Sequence, residues 1–192
     1  MSSLRYLSMK WQAMAWLVLG RSAPALEIFN RMLRQWPDDA YALGSRAHLL
    51  ARQGQRLEAL ADLEDLVRCH GHAAGHWFNH GFLLEELGRW DEALASFRRA
   101  TELDPLLDRA WYGMGLVLIR LQRLDDAVAA LKRNTELQPM SPYGWYQLAR
   151  VHVDRQQPDE AVKVIRHLKG FEPKVAAQLE RETGLVAGRP VA

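Results

Sequence analysis

The sequence holds a single cysteine, Cys69, among 192 residues, so no intrachain disulfide can staple the fold. It has no run of 18 or more apolar residues, which excludes a helix that spans a bilayer by itself. It also lacks a dominant charge: 25 basic residues stand against 23 acidic ones, for a net charge of +2. Nucleic-acid binding draws on clustered, uncompensated Lys and Arg, so no nucleic-acid partner is expected. Lysine is scarce, supplying five of the 25 cations, and the Arg-rich, Ala-rich balance points to a GC-rich bacterial genome. Signatures of catalysis are missing as well: no Gly-rich phosphate loop, no nucleophile elbow and no metalloprotease His pair. Asp125-Asp126 opens a helix, where carboxylates favour the positive end, and Glu85-Glu86 reads as a solvated face. We therefore expect no enzyme and no cofactor.

What is present is a soluble globular balance, 48% hydrophobic and 25% charged, with a strict internal period. Ala25, Ala59, Ala93, Ala127 and Ala161 lie 34 residues apart. Twelve positions before each stands another small residue: Ala13, Ala47, Gly81, Gly115 and Ala149. Twelve positions after each stands a helix stop: Pro37, Gly71, Pro105, Pro139 and Pro173. Bulky Phe29, Leu63, Phe97, Leu131 and Ile165 keep the same step. Apolar residues at three- and four-residue spacing, as in Trp77–Leu87 and Trp90–Leu103, predict two amphipathic helices per unit. Small residues suit the crossing of the two helices, and the large ones fill the space beside it.

These residues resemble the tetratricopeptide repeat family. The family's pattern of aromatic, Leu-Gly, Tyr, Ala, Phe, Ala and Pro is matched in the third unit by Trp77, His80-Gly81, Leu84, Ala93, Phe97, Ala100 and Pro105. Trp111 and Trp145 open the same pattern in the fourth and fifth units. The resemblance implies an all-α fold, an α-solenoid of five tandem repeats in a right-handed superhelix. The repeats are expected at 6–39, 40–73, 74–107, 108–141 and 142–175. A lead at 1–5 precedes them, and a capping helix (Lys174–Thr183, ended by Gly184) and a loose tail at 186–192 follow. Four departures stand out: Met9 and Leu43 replace the aromatic, Gln12 and Arg46 replace Leu. Asn134 stands where Ala is usual, and a buried amide without partners would loosen the fourth unit.

The resemblance also implies a peptide-binding groove lined by the first helix of each unit. Carried onto this chain, its places are Lys10, Met14, Tyr41, His48, Phe78, Asn79, Phe82, Arg109, Tyr112, Leu116, Tyr143, Tyr146 and Arg150. Exposed aromatic rings give large contact area at small entropic cost, so a peptide with apolar side chains is the expected guest. Arg109, Arg150 and Asn79 would fix its backbone or an acidic group. The alternative is that some of these rings pack between repeats. The carboxylate clamp by which some family members grip chaperone tails is matched only at Asn79 and Arg109, so a chaperone-cofactor role is not expected.

Four of seven histidines fall between His70 and His80, next to Cys69. His76 and His80 stand one helical turn apart, a spacing that can chelate a transition metal. The alternative is two turn histidines and one half-buried in the core, and no metal is expected.

At the N-terminus Arg5 and Lys10 precede the apolar run Trp11–Leu19, and Ser22-Ala23-Pro24-Ala25 follows, loosely the layout of a secretory signal. The repeat register instead makes this run the first helix. A cytoplasmic chain is expected, exported or envelope-associated if the run is a signal. The expected function is a scaffold or adaptor holding a partner protein's peptide in a bacterial assembly, secretion or regulatory complex. The alternatives are self-assembly through the apolar first helix (Leu7, Met14, Leu17, Val18), or a regulatory arm for a separately encoded enzyme such as a glycosyltransferase.

Overall fold

A computed structural model describes residues 2–188. Among these residues there are eleven α-helices and no β-strand. They are α1 (Ser2–Val18), α2 (Ser22–Gln35), α3 (Ala40–Arg52), α4 (Arg56–His70), α5 (Ala74–Glu86), α6 (Trp90–Leu103), α7 (Asp108–Arg120), α8 (Leu124–Leu137), α9 (Pro142–Asp154), α10 (Pro158–Lys169) and α11 (Pro173–Thr183). Helix α1 starts at Ser2, so residues 2–5 of the expected lead are helical. Of the tail expected at 186–192, residues 189–192 lie outside the described residues. No helix among the described residues is long and apolar enough to cross a membrane.

The helices fall into two compact units, α1–α5 and α6–α11. In the first, α1 packs on α2, α2 on α3, α3 on α4 and α4 on α5. In the second, neighbours from α6 to α11 pack in the same sequential way, and α11 also reaches α9.

The small-residue ladders lie in the interior. Ala13, Ala25, Ala59, Ala93, Ala127, Ala149 and Ala161 have no exposed surface, and Phe29, Phe97, Leu131 and Ile165 beside them have none either. The need for small residues can be read off Gly115: a Cβ there would come within 2.7 Å of Leu131 Cγ and Cδ2. Each buried large side chain contributes roughly 1.5–3 kcal/mol relative to exposure.

The turn inside each repeat recurs too. Gly20, Gly54, Gly88, Gln122 and Gln156, again 34 apart, all have φ between 57° and 82°. This left-handed residue lets the chain reverse while the next amide bonds back to the helix, as in Arg123 N to Leu118 O (2.9 Å) and Gln157 N to His152 O (2.8 Å). Between repeats, the Trp77, Trp111 and Trp145 indoles donate to the carbonyls of Gly71, Pro105 and Pro139 at 2.8, 3.0 and 2.9 Å. The junction of α2 and α3 has Leu43 instead of the indole, and there Asp39 Oδ1 accepts from Ala42 N at 2.8 Å.

The departures from the family pattern have physical answers. Arg46 pairs through two nitrogens with the buried Asp62 carboxylate, at 2.6 and 2.8 Å, and donates to Asn30 Oδ1 at 2.9 Å. Asn134 does not loosen its repeat: its Nδ2 donates to Asp108 O at 2.9 Å. Space for the amide comes from Gly144 of α9, where a Cβ would sit 2.1 Å from Asn134 Oδ1. One repeat earlier the matching pair is Ala100 and Ala110, both fully buried.

Candidate functional site

In the first unit, α1, α3 and α5 carry the expected residues Lys10, Met14, Tyr41, His48, Phe78, Asn79 and Phe82. Lys10 Nζ stands 4.5 Å from the centre of the Tyr41 ring, a cation–π contact, and Tyr41 meets Phe29 edge-on at 5.8 Å. Burial raises the Tyr41 hydroxyl pKa above its ordinary value. This ring is thus engaged within the fold. Met14 lies on the exposed side of α1.

Phe78 and Phe82, one turn apart on α5, stack with centroids 6.3 Å apart and planes at 27°. Phe82 remains 50% exposed. It borders a hollow of about 140 Å³ whose lining includes Gly44, Ala47 and Ala51 of α3, Leu63 of α4 and Leu83 of α5. His48, Asn79 and Glu86 complete the lining, and all three are exposed. Glu86 is in reach of Arg56, at 3.5 Å. An apolar hollow with small residues on one wall, a ring at its lip and amide, imidazole and carboxylate groups around it can take one side chain and hydrogen-bond the chain that carries it.

In the second unit Arg109 and Tyr143 are exposed, Tyr143 by 69%, while Tyr112 and Leu116 of α7 are half-buried. Tyr146 and Arg150 of α9 meet α11. The Tyr146 hydroxyl donates to Glu182 Oε2 at 2.6 Å, Gln178 Nε2 donates to Glu182 Oε1 at 2.8 Å, and the Arg150 guanidinium lies 5.9 Å from the Tyr146 ring centre. The hydrogen bond from Tyr146, then that from Gln178, lowers the pKa of Glu182, and the same bond raises that of Tyr146. Arg150, Val153, Asp154, Glu182 and Thr183 line a shallow hollow of about 380 Å³. Tyr146 is therefore already holding a carboxylate from its own chain. Sequence reasoning missed Glu182, because nothing in a 34-residue pattern ties it to a residue 36 positions away. It also read Glu86 as a solvated face, and it did not join Gly44, Ala47 and Ala51 into one wall. The signal for these was a second small-residue series on α3, at steps of three and four.

His70 Nε2 donates to Asp38 O at 2.6 Å and His76 Nδ1 to His70 O at 3.1 Å, so these nitrogens carry protons and present no lone pair. His80 faces Trp77 edge-on at 6.1 Å. Among the described residues no three His, Cys, Asp or Glu side chains are arranged to hold an ion.

The family model described as Tetratricopeptide repeat matches residues 45–108, 78–139 and 112–174, together well over half of the chain. Solved structures share the fold. MamA (41 to the end) from Desulfovibrio magneticus RS-1 matches with TM-score 0.77 at 19% identity, covering 91% of this chain and 94% of that one. YrrB, described as a TPR protein with an unusual peptide-binding site, matches with TM-score 0.78 at 19% identity, covering 88% of each chain. TTC0263, a thermophilic TPR protein in Thermus thermophilus, matches with TM-score 0.63 at 23% identity, covering 94% of this chain and 99% of that one. At such identities the likeness speaks for the fold alone. No curated protein matches the sequence. The ladders, the paired helices and the family model agree: the chain belongs to the tetratricopeptide repeat family.

Proposed function

We propose that this protein is an interaction scaffold that holds a peptide segment of a partner protein on the face made by α1, α3 and α5. Members of its family are protein-interaction scaffolds, and one solved relative, YrrB, is described by its peptide-binding site. The observation that carries the reading is Phe82. A half-exposed phenylalanine gains nothing for the core, yet it stacks on Phe78 at the lip of a hollow walled by Gly44, Ala47 and Ala51. An apolar side chain of the guest enters the hollow beside the two rings. Asn79 and His48 bond the guest backbone, and Glu86 favours a basic residue next to the anchor.

Affinity capture from the native cell tests this, comparing the wild-type chain with Phe78→Ala/Phe82→Ala. Two anchors of this kind carry at least about 2 kcal/mol each, so partner recovery should fall roughly 100-fold or more, with unchanged circular dichroism. Undiminished recovery would remove the face from the account.

A further inference from the structure

A hollow of about 520 Å³ in the second unit lies away from the expected groove places. Its floor is Trp111, Met114 and Leu118, on the side of α7 opposite Tyr112 and Leu116. Arg98 of α6 stands on one wall, and Ala129 and Arg133 of α8 stand on the other.

Elsewhere the chain supplies its own group at this place. Two repeats earlier the corresponding hollow measures about 340 Å³. There Arg46, at the place of Met114, bridges Asn30 of α2 to Asp62 of α4. One repeat later His167, at the place of Arg133, sets its imidazole 4.2 Å from the Trp145 ring centre. Trp111 meets no ring and no cation among the described residues. Both own-chain groups are planar π systems, so a planar ring suits the place left open over Trp111.

Charge narrows the guest further. The acids on the rim are already answered, Glu102 by Arg99 and Asp126 by Arg123, and Arg133 is answered by Glu136. Arg98 has no ion-pair or hydrogen-bond partner among the described residues. It stands where the first unit has Asn30, and Ala130 stands where the first unit has the Asp62 carboxylate. The wall has gained a cation and lost the acid across from it, so an incoming carboxylate is the complement.

We propose that this hollow is a second docking site, for a partner-protein segment that lays an aromatic side chain on Trp111 and sets a nearby Asp or Glu on Arg98. It goes beyond the Phe78–Phe82 face, and its guest has the opposite charge preference, since Glu86 there favours a basic neighbour.

Selection of displayed random peptides on the Phe78→Ala/Phe82→Ala chain tests it, because the first face then does not compete. Enriched sequences should carry Phe, Tyr or Trp close to Asp or Glu. Titrated as synthetic peptides by fluorescence polarisation, they should lose about 10-fold or more in affinity on Arg98→Glu. Arg133→His, which copies the His167 arrangement and closes the hollow from within, should do the same. Arg98→Lys should keep most of the affinity. Arg98 is exposed, so circular dichroism should not change. Peptides that depend on Phe78 and Phe82 should bind the Arg98→Glu chain as they bind wild type, which keeps a failure of that face distinct from a failure of this one. A selection that enriches nothing, or enriches basic peptides, overturns the proposal, and so does affinity indifferent to both substitutions. A wild-type dimer in sedimentation that Arg98→Glu dissolves would give the hollow to a second copy and overturn it as well.

Discussion

Gln122 and Gln156 hold φ values of 58° and 57° where the three earlier repeats use glycine. A side chain in this region costs about 1–2 kcal/mol against its preceding carbonyl, and glycine avoids that cost while giving part of the gain back to the unfolded chain. Gln122→Gly and Gln156→Gly should each stabilise the fold by about 0.5–1 kcal/mol in urea unfolding. Asn134 and Gly144 make a sharper case. Gly144→Ala drives a methyl into the Asn134 amide and should cost about 1–3 kcal/mol despite alanine's better helix propensity. Adding Asn134→Ala recreates the Ala100/Ala110 arrangement and should recover most of that loss; if the double variant is no better than the single, the contact is misread. The sequence showed Asn134 as an oddity. It did not show that Gly144 answers it, because a lone glycine in a helix has many explanations until its neighbour in space is known.

At the level of helices, the alanine and phenylalanine ladders were legible because packing is set by residue size at a fixed period, which is what a sequence records directly. Polar pairing is not recorded that way. Arg46 and Asp62 stand 16 positions apart on α3 and α4, and only geometry shows the two-pronged bond between them. Arg46→Leu strands the buried carboxylate and should cost up to about 3 kcal/mol, whereas Arg46→Met with Asp62→Ala copies the apolar Met114/Ala130 pair two repeats later. That double variant should lie within about 1 kcal/mol of wild type in the same measurement. Helix α11 is held differently. Glu182 is lowered in pKa chiefly by Tyr146, and Glu180 chiefly by the Ala187 amide. Both contribute stability that is full above the unfolded carboxylate value and lost as pH falls through the lower folded one. Hydrogen exchange should therefore show α11 losing protection below about pH 4 before the alanine-packed helices do. Simultaneous loss along the chain would speak against these carboxylates as the tether.

For the molecule as a whole, the two helices of each repeat were legible in the periodicity and the solenoid in the family resemblance, while the proposed binding surface depends on what surrounds each side chain. The family's groove places, carried onto this chain, grouped residues with different surroundings. Phe82 is open beside a hollow, Tyr41 is covered by Lys10, and Tyr146 is hooked to Glu182. Place in a repeat says which way a side chain points; what already stands in front of it depends on neighbours from other repeats.

Interlocking of this kind also limits modularity. The fourth repeat presents an amide that only a glycine-bearing successor can receive, so an array built by shuffling these repeats has to keep the fourth and fifth together as one cassette. Placing the fourth before a repeat with alanine at the receiving position would join two sound bricks with a bad joint.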